Sequence, residues 1–223
     1  DFYFINSTSL NSKFVFKHKQ PFNTKKIPKT NNNFSKIKKS KKTNFFDLIN
    51  PDISWDFMLA MFLTLYRREK FVSNLKLLNK KKLNDPRVWS NIDNTAPHVK
   101  VFSHTFKDSN CYFQAKPLSV NLFGEKDWSP IYPFIMIIRI PEILDIYRKN
   151  GLPFLRYILY KNYMLKKFIP YMYYIIKNKK YSNYKFINFK KNIVNNIFYP
   201  NIYIFGFYYF IRKILNQFLK IFK

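Results

Sequence analysis

Phe168-Ile-Pro-Tyr-Met-Tyr-Tyr-Ile-Ile-Lys-Asn-Lys-Lys180 packs aromatic and branched apolar residues against a closing cluster of lysines. It sits inside residues 146–223, which hold sixteen Lys/Arg and not one Asp or Glu. Charged residues make up about a quarter of an average globular chain, and about half of them are acidic. At that rate a stretch this long would lack a carboxylate by chance on the order of once in ten thousand cases. A compact body carrying one sign of charge repels itself, so something negative must neutralise this block. Its apolar content and the prolines that punctuate it predict one or two helices over 152–180, broken near Pro170, and a helix or strand pair over 192–223 with a break around Pro200 and Gly206. Leu155, Ile158, Leu159, Met164 and Leu165 are expected on the inner face of the first. Residues 181–191 read as a polar loop. Phe210 to Lys223 reads as an amphipathic helix, with Ile211, Ile214, Leu215, Phe218 and Leu219 opposite Arg212, Lys213, Asn216 and Lys220.

The rest of the chain divides by charge. The whole sequence carries 40 basic and 12 acidic residues, a net charge of +28 over 223 residues. Residues 2–46 hold eleven lysines and no acid, whereas 47–145 hold eleven acids and thirteen bases. We read three segments: a basic extended arm (1–43), a near-neutral mixed α/β body (44–145) and the acid-free basic helical block (146–223). The fold class expected is α+β and predominantly helical, with a disordered-type arm and a small antiparallel sheet in the middle.

Codon economy has to be separated from selection. Phe, Tyr, Ile, Asn and Lys supply 126 of the 223 residues, Gly and Ala appear three times each, and Lys outnumbers Arg 33 to 7. An AT-rich gene produces all of these. Asp and Glu codons are two-thirds A or T, so base composition does not remove them, and their depletion is the selected feature.

In the arm, Asn31, Asn32 and Asn33 and the run Lys36-Ile-Lys-Lys-Ser-Lys-Lys42 cannot bury enough apolar surface to offset the entropy of ordering. A solvated tail or targeting remnant fits this, and so does an arm that orders against phosphate; we favour the latter. Residues 44–83 read as helix after Pro51, with Ser54 as N-cap, Asp56 in the first turn, and Trp55, Met58, Phe62, Leu65, Val72 and Leu75 as the stripe. Lys80, Lys81 and Lys82 suit its C-terminal end, and Asn84-Asp85-Pro86 stops it. Val99–Phe106 alternates with period two and predicts a strand. Lys107-Asp-Ser-Asn110 is a turn, Cys111–Ala115 the returning strand, and 117–123 a third. Gly124 and Asp127 mark a further turn. Residues 134–140 form a short buried strand or helix, followed by a helix with Pro141, Glu142 and Asp145 in its first turn, ended by Gly151 and Pro153.

Little in the sequence is suited to catalysis. Three glycines, at 124, 151 and 206, cannot write a P-loop or a dinucleotide fingerprint. His98 and His104 would face one side of a strand, but zinc needs three or four ligands and Cys111 and the nearby acids do not complete the set. His18 falls in the arm and reads as solvated. Ser103-His104 lacks a nucleophile elbow, and Glu125/Asp127 read as turn chemistry. We therefore expect no enzyme, no metal and no cofactor. The longest uncharged stretch, 192–211, is about bilayer length. It contains Asn192, Asn195, Asn196, Pro200, Asn201 and Gly206, so core helices and strands, not membrane spans, are the expected reading.

What remains are lysine clusters: Lys36, Lys38, Lys39, Lys41 and Lys42 in the arm, then Lys166 and Lys167, Lys177, Lys179 and Lys180, and Lys190 and Lys191. Each is a candidate RNA phosphate contact. Tyr173, Tyr174, Tyr181 and Tyr184 lie among them and would either stack on unpaired bases or pack in the core; core packing is the expected state.

The composition of the whole chain resembles that of proteins encoded in the AT-rich mitochondrial genomes of protists of the ciliate type. The resemblance covers the whole chain and rests on composition alone. Such genomes retain mostly respiratory membrane subunits and ribosomal proteins. Of those two groups, a basic arm, a neutral body and an acid-free C-terminal block look more like a mitochondrial ribosomal protein, a structural constituent of the ribonucleoprotein that serves translation. Its partners would be ribosomal RNA and neighbouring ribosomal proteins. The alternative the resemblance implies is a membrane-associated accessory subunit of a respiratory complex, partnered by anionic lipid and other subunits of that complex at the inner membrane.

Overall fold

The computed structural model describes residues 1–28, 33–54, 56–59, 63–124 and 129–221. Asn31, Asn32, Trp55, Phe62, Glu125 and Asp127, and the side chains of Asp56, Leu219 and Lys220, named above, lie outside the described set. The fold is α+β and mostly helical, with one four-stranded sheet. Contacts divide the chain into two units: residues 1–79 with 96–127, and residues 80–95 with 128–223. These boundaries cut through the segment read as a single neutral body.

The sheet belongs to the first unit. Its strands are β1 (Phe2–Asn11), β2 (Lys41–Asn44), β3 (Thr64–Tyr66) and β4 (Asn110–Phe123), in the order β2-β4-β1-β3. β1 runs parallel to β4 and antiparallel to β3, and β2 is antiparallel to β4, so the sheet is mixed rather than antiparallel. The stretch read as a disordered-type arm thus begins with an inner strand. Phe2, Phe4 and Leu10 of β1 are buried, as alternation on a half-buried strand requires. The lysines that give residues 1–43 their arm-like composition begin only at Lys13. Where β1 and β4 shift register between Ile5 and Ser7, the buried Asn6 side chain takes over. Its Nδ2 donates to Ala115 O (2.9 Å), and its Oδ1 accepts from Ser35 N and Ser7 N (both 3.0 Å). This fastens residues 33–37 to the sheet, and Ser40 Oγ fastens the next residues by accepting from Ala115 N.

Val99–Phe106 is not a strand. Pro97–Thr105 forms helix α1, with Pro97 in its first turn. Val99, Phe102 and Phe106 recur at three- and four-residue spacing, so the same residues fit helical period, and packing decides between the two. Phe102 and Phe106 bring their rings to 5.1 Å and 4.8 Å from that of Phe2, and Phe45, Phe57 and Phe113 complete an aromatic core. The long helix read over 44–83 is instead a series of short turns, including Phe45–Leu48, Pro51–Ser54, Asp56–Leu59 and Arg68–Val72, interrupted by β3. Ser54 closes a turn rather than capping one. Of the described residues of the proposed stripe, Met58 is buried, whereas Leu65, Val72 and Leu75 are exposed. The expected third strand over 117–123 is the continuation of β4.

On helix α1 the two histidines separate. His104 is exposed, while His98 is buried with Nε2 against the Leu59 carbonyl oxygen. Burial pushes the His98 imidazole down to about 4, against the hydrogen bond to Leu59, which acts the other way. Above the ordinary histidine value of ~6.5 both folded and unfolded chains hold a neutral ring. Below it only the unfolded chain takes a proton, until the folded value is reached. We expect the first unit to lose on the order of 3 kcal/mol as pH falls from ~6.5 to ~4. Hydrogen exchange of β1 and β4 amides across that range checks this, and His98→Gln should flatten the profile.

The second unit is helical. Residues 132–149 are helical throughout, with a wider π turn at Ile135–Arg139 leading into α2 (Ile140–Lys149). Pro141 has no N–H to give the preceding turn and its ring crowds that turn, which the π turn accommodates. Gly151, at φ 118°, ends α2, a conformation that favours glycine. Helix α3 (Phe154–Met164) and helix α4 (Phe168–Lys177) are separated by a 3₁₀ turn at Leu165–Lys167, three residues ahead of Pro170. The expected inner face of α3 is only partly inside: Met164 and Leu165 are buried, Ile158 is half-buried, and Leu155 and Leu159 are exposed. Residues 181–191 carry short helical turns rather than a plain loop. Helix α5 (Pro200–Ile221) is a single helix. It runs through Gly206 without a break, and that glycine lies against Ile169: a Cβ there would come within 2.8 Å of Ile169 Cγ1. Phe134, Ile137, Ile138, Leu165, Phe168, Ile175 and Ile202 form the core.

Candidate nucleic-acid interface

The second unit contains four carboxylates, Asp85, Asp93, Glu142 and Asp145, against twenty-one Lys/Arg. Where these four point determines what its surface presents. Asp93 is buried. Asp85 receives Arg87 Nη2 at 2.7 Å and Ser90 Oγ at 2.8 Å, and these bonds, led by Arg87, hold its carboxyl well below the usual range. Asp145 Oδ1 accepts from Tyr157 OH and from Lys161 Nζ, both at 2.8 Å, and Lys161 is itself buried. Burial and then the Asp145 carboxylate push the Tyr157 phenol up, and burial pushes Tyr199 up to about 12.

Glu142 is the most enclosed of the ion-paired three. Arg139 Nη1 donates to its Oε2, while Lys191 Nζ (3.0 Å) and Asn192 Nδ2 (3.1 Å) donate to Oε1. Burial would raise its pKa, but Arg139 and Lys191 outweigh that and lower it. Arg139 has its remaining donors on Trp89 O (2.9 Å) and Ser90 O (2.6 Å), and its guanidinium lies 4.7 Å from the centre of the Phe134 ring. One buried pair thereby joins residues 89–90, α2 and residues 191–192.

With its carboxylates committed in this way, the unit shows mostly cations. Lys167, Lys177, Lys179, Lys180 and Lys190 are exposed, and Lys166 is half-buried. Lys191 is exposed but spends its charge on Glu142, so it is a weaker phosphate candidate than its sequence position suggests. The lysines of the first unit, Lys36, Lys38, Lys39, Lys41 and Lys42, are also exposed, the last two on strand β2. The twelve nominated lysines divide between the two units, five in the first and seven in the second.

The tyrosines depart from the core packing expected of them. Tyr173, Tyr174, Tyr181 and Tyr184 are all exposed. Lysines lie over several of these faces: Lys179 over Tyr184 at 4.9 Å, Lys180 over Tyr181 at 5.3 Å and Lys213 over Tyr173 at 4.6 Å. Lys166 lies 3.7 Å from the ring centre of Tyr163, and Lys167 5.5 Å from that of Tyr171. Ammonium groups favour aromatic faces. Such a surface interleaves phosphate partners with flat apolar rings, the two elements that unpaired nucleic acid engages.

The structure adds cations that the sequence reading had assigned to a helix end. Lys80–Leu83 is a short turn of the second unit, and Lys81, Lys82, Asp85, Pro86 and Arg87 line an open depression of ≈ 630 Å³. Lys185 is exposed over Phe186. The available signal was the run of three lysines itself. Cys111 is buried in the first unit, and burial pushes its thiol up to about 11, which leaves it protonated and unreactive at neutral pH. Among the described residues no group of three or more His, Cys, Asp or Glu could hold a metal, and no helix is long and apolar enough to cross a membrane. No protein-family model, curated protein or solved structure matches the chain.

Proposed function

We propose that this is an RNA-binding structural protein, a constituent of a mitochondrial ribosome that contacts ribosomal RNA through the lysine- and tyrosine-bearing surface of its second unit. The observation that carries the reading is that Asp93 and Glu142 are buried and Asp85, Glu142 and Asp145 are each paired with a cation, while most lysines of the unit and Tyr173, Tyr174, Tyr181 and Tyr184 are exposed. Codon bias accounts for many lysines and aromatics but not for the absence of acid from residues 146–223. The role is to screen backbone repulsion and hold RNA helices in position, which requires no catalytic group. Lysines of the first unit, around β2, would supply further phosphate contacts.

Sedimentation of a mitochondrial lysate in mild detergent, with and without RNase, tests the assignment. The chain should run with ribosomal RNA and shift after RNase. Migration with respiratory complexes, indifferent to RNase, would replace this reading with the respiratory one.

A further inference from the structure

Helix α5 turns its apolar side away from the unit it belongs to. Ile202 is buried, Gly206 meets Ile169, and Lys213 reaches Tyr173, so these positions mark the inner face. Ile204, Phe207, Tyr208, Ile211, Leu215 and Phe218 recur at three- and four-residue spacing on the opposite side, and they are 40% to 70% exposed. Residues 203, 210 and 214 widen the stripe and are exposed as well. At 100° per residue the outer arc spans about 160° and runs about 20 Å along the helix. Within 203–218 the charged positions, Arg212 and Lys213, fall outside it. Half-exposed side chains of this size leave open on the order of 800 Å², more than monomeric proteins usually expose in one patch.

We propose that this face docks on the interface of an anionic lipid bilayer, with α5 lying in the membrane plane. A second copy of the chain fits less well than an anionic surface, because residues 146–223 carry sixteen Lys/Arg and no acid: two such blocks repel each other, whereas anionic headgroups neutralise them. A single partner helix covers a stripe of ~100°, narrower than the arc observed. An interfacial helix has a broad aromatic and aliphatic face with cations outside it, and is too polar overall to span; α5 has such a face, carries Arg212 and Lys213 outside it, and is not apolar enough to cross a membrane despite its 22 residues. The inference does not depend on the RNA reading, which uses other side chains.

The test is flotation of the full chain with vesicles of phosphatidylcholine and phosphatidylglycerol. Binding should persist at ~1 M salt, where the Debye length is ~3 Å and purely ionic adsorption is lost. The F207Q/I211Q/F218Q variant should bind on the order of a hundredfold more weakly at that salt. Its circular dichroism should be unchanged, since the three side chains point away from the core. Release of the wild-type chain at high salt overturns the proposal, as does equal binding by the variant. Self-association through this face in the absence of lipid, read by sedimentation equilibrium, would assign the face to a second copy instead.

Discussion

Replacing Glu142 with Gln will destabilise the second unit by about 3–5 kcal/mol, the cost of leaving one member of a buried ion pair behind. The substitution keeps the size and shape of the side chain and removes the charge that answers Arg139 and Lys191. Arg139 cannot escape to water, because its side chain is enclosed and its other donors are held by Trp89 and Ser90 carbonyls. Removing both charges together, as R139M/E142L, should cost much less than the single change, since a well-packed apolar pair avoids the desolvation of two ions. The pH dependence has a definite sign. The folded pKa of Glu142 is lowered, so its contribution is complete above the ordinary glutamate value of ~4.3 and is lost as pH falls through the folded value. The variant should lack that acid-sensitive component. Hydrogen exchange at the amides of α2 reads the second unit separately from the first. A change under ~1 kcal/mol would mean that the pair is solvated.

The second large effect is on RNA affinity. Changing Lys177, Lys179, Lys180 and Lys190 together to Gln should weaken binding to a ribosomal RNA fragment about a hundredfold at low salt and reduce the slope of log affinity against log salt by about 3. All four side chains are exposed, so thermal unfolding should move little. Lys191→Gln is the internal control. Its ammonium is held by Glu142, so the salt slope should stay nearly unchanged even where the fold is weakened. Equal slopes for the quadruple variant and the parent would remove these lysines from the interface.

The parts of this architecture that sequence reading recovered are those set by local chemistry. The interruption ahead of Pro170 and the end of α2 at Gly151 follow from backbone restrictions at single residues. The helical character of the last third follows from dense apolar residues without strand-length punctuation. The errors lie where several periods fit the same residues, or where composition was averaged over too long a window. Val99, Phe102 and Phe106 satisfy a helix as readily as a strand, and contact with Phe2 decides. Phe2, Phe4 and Leu10 had the alternation of a strand, but the lysines beginning at Lys13 dominated the composition of the segment. The parallel pairing of β1 with β4 joins residues roughly a hundred positions apart, and nothing local encodes it.

The candidate surface divides in the same way. The missing acids were visible in the sequence. That Asp85, Glu142 and Asp145 bind neighbouring cations was not, because these pairings depend on the fold. Tyr173, Tyr181 and Tyr184 read as core residues because an AT-rich gene supplies aromatics whether or not they bind anything, and only the packing of α4 and the turns after it places them outside. The stripe at Ile211, Ile214, Leu215 and Phe218 was legible, but its outward direction was not.

Ultraviolet cross-linking of intact mitochondrial particles, with peptide–nucleotide adducts located by mass spectrometry, tests the central claim most directly. Adducts are expected at Tyr173, Tyr181 and Tyr184 and on the lysines beside them. Adducts confined to the first unit, or none on this chain in particles that contain it, would contradict that claim.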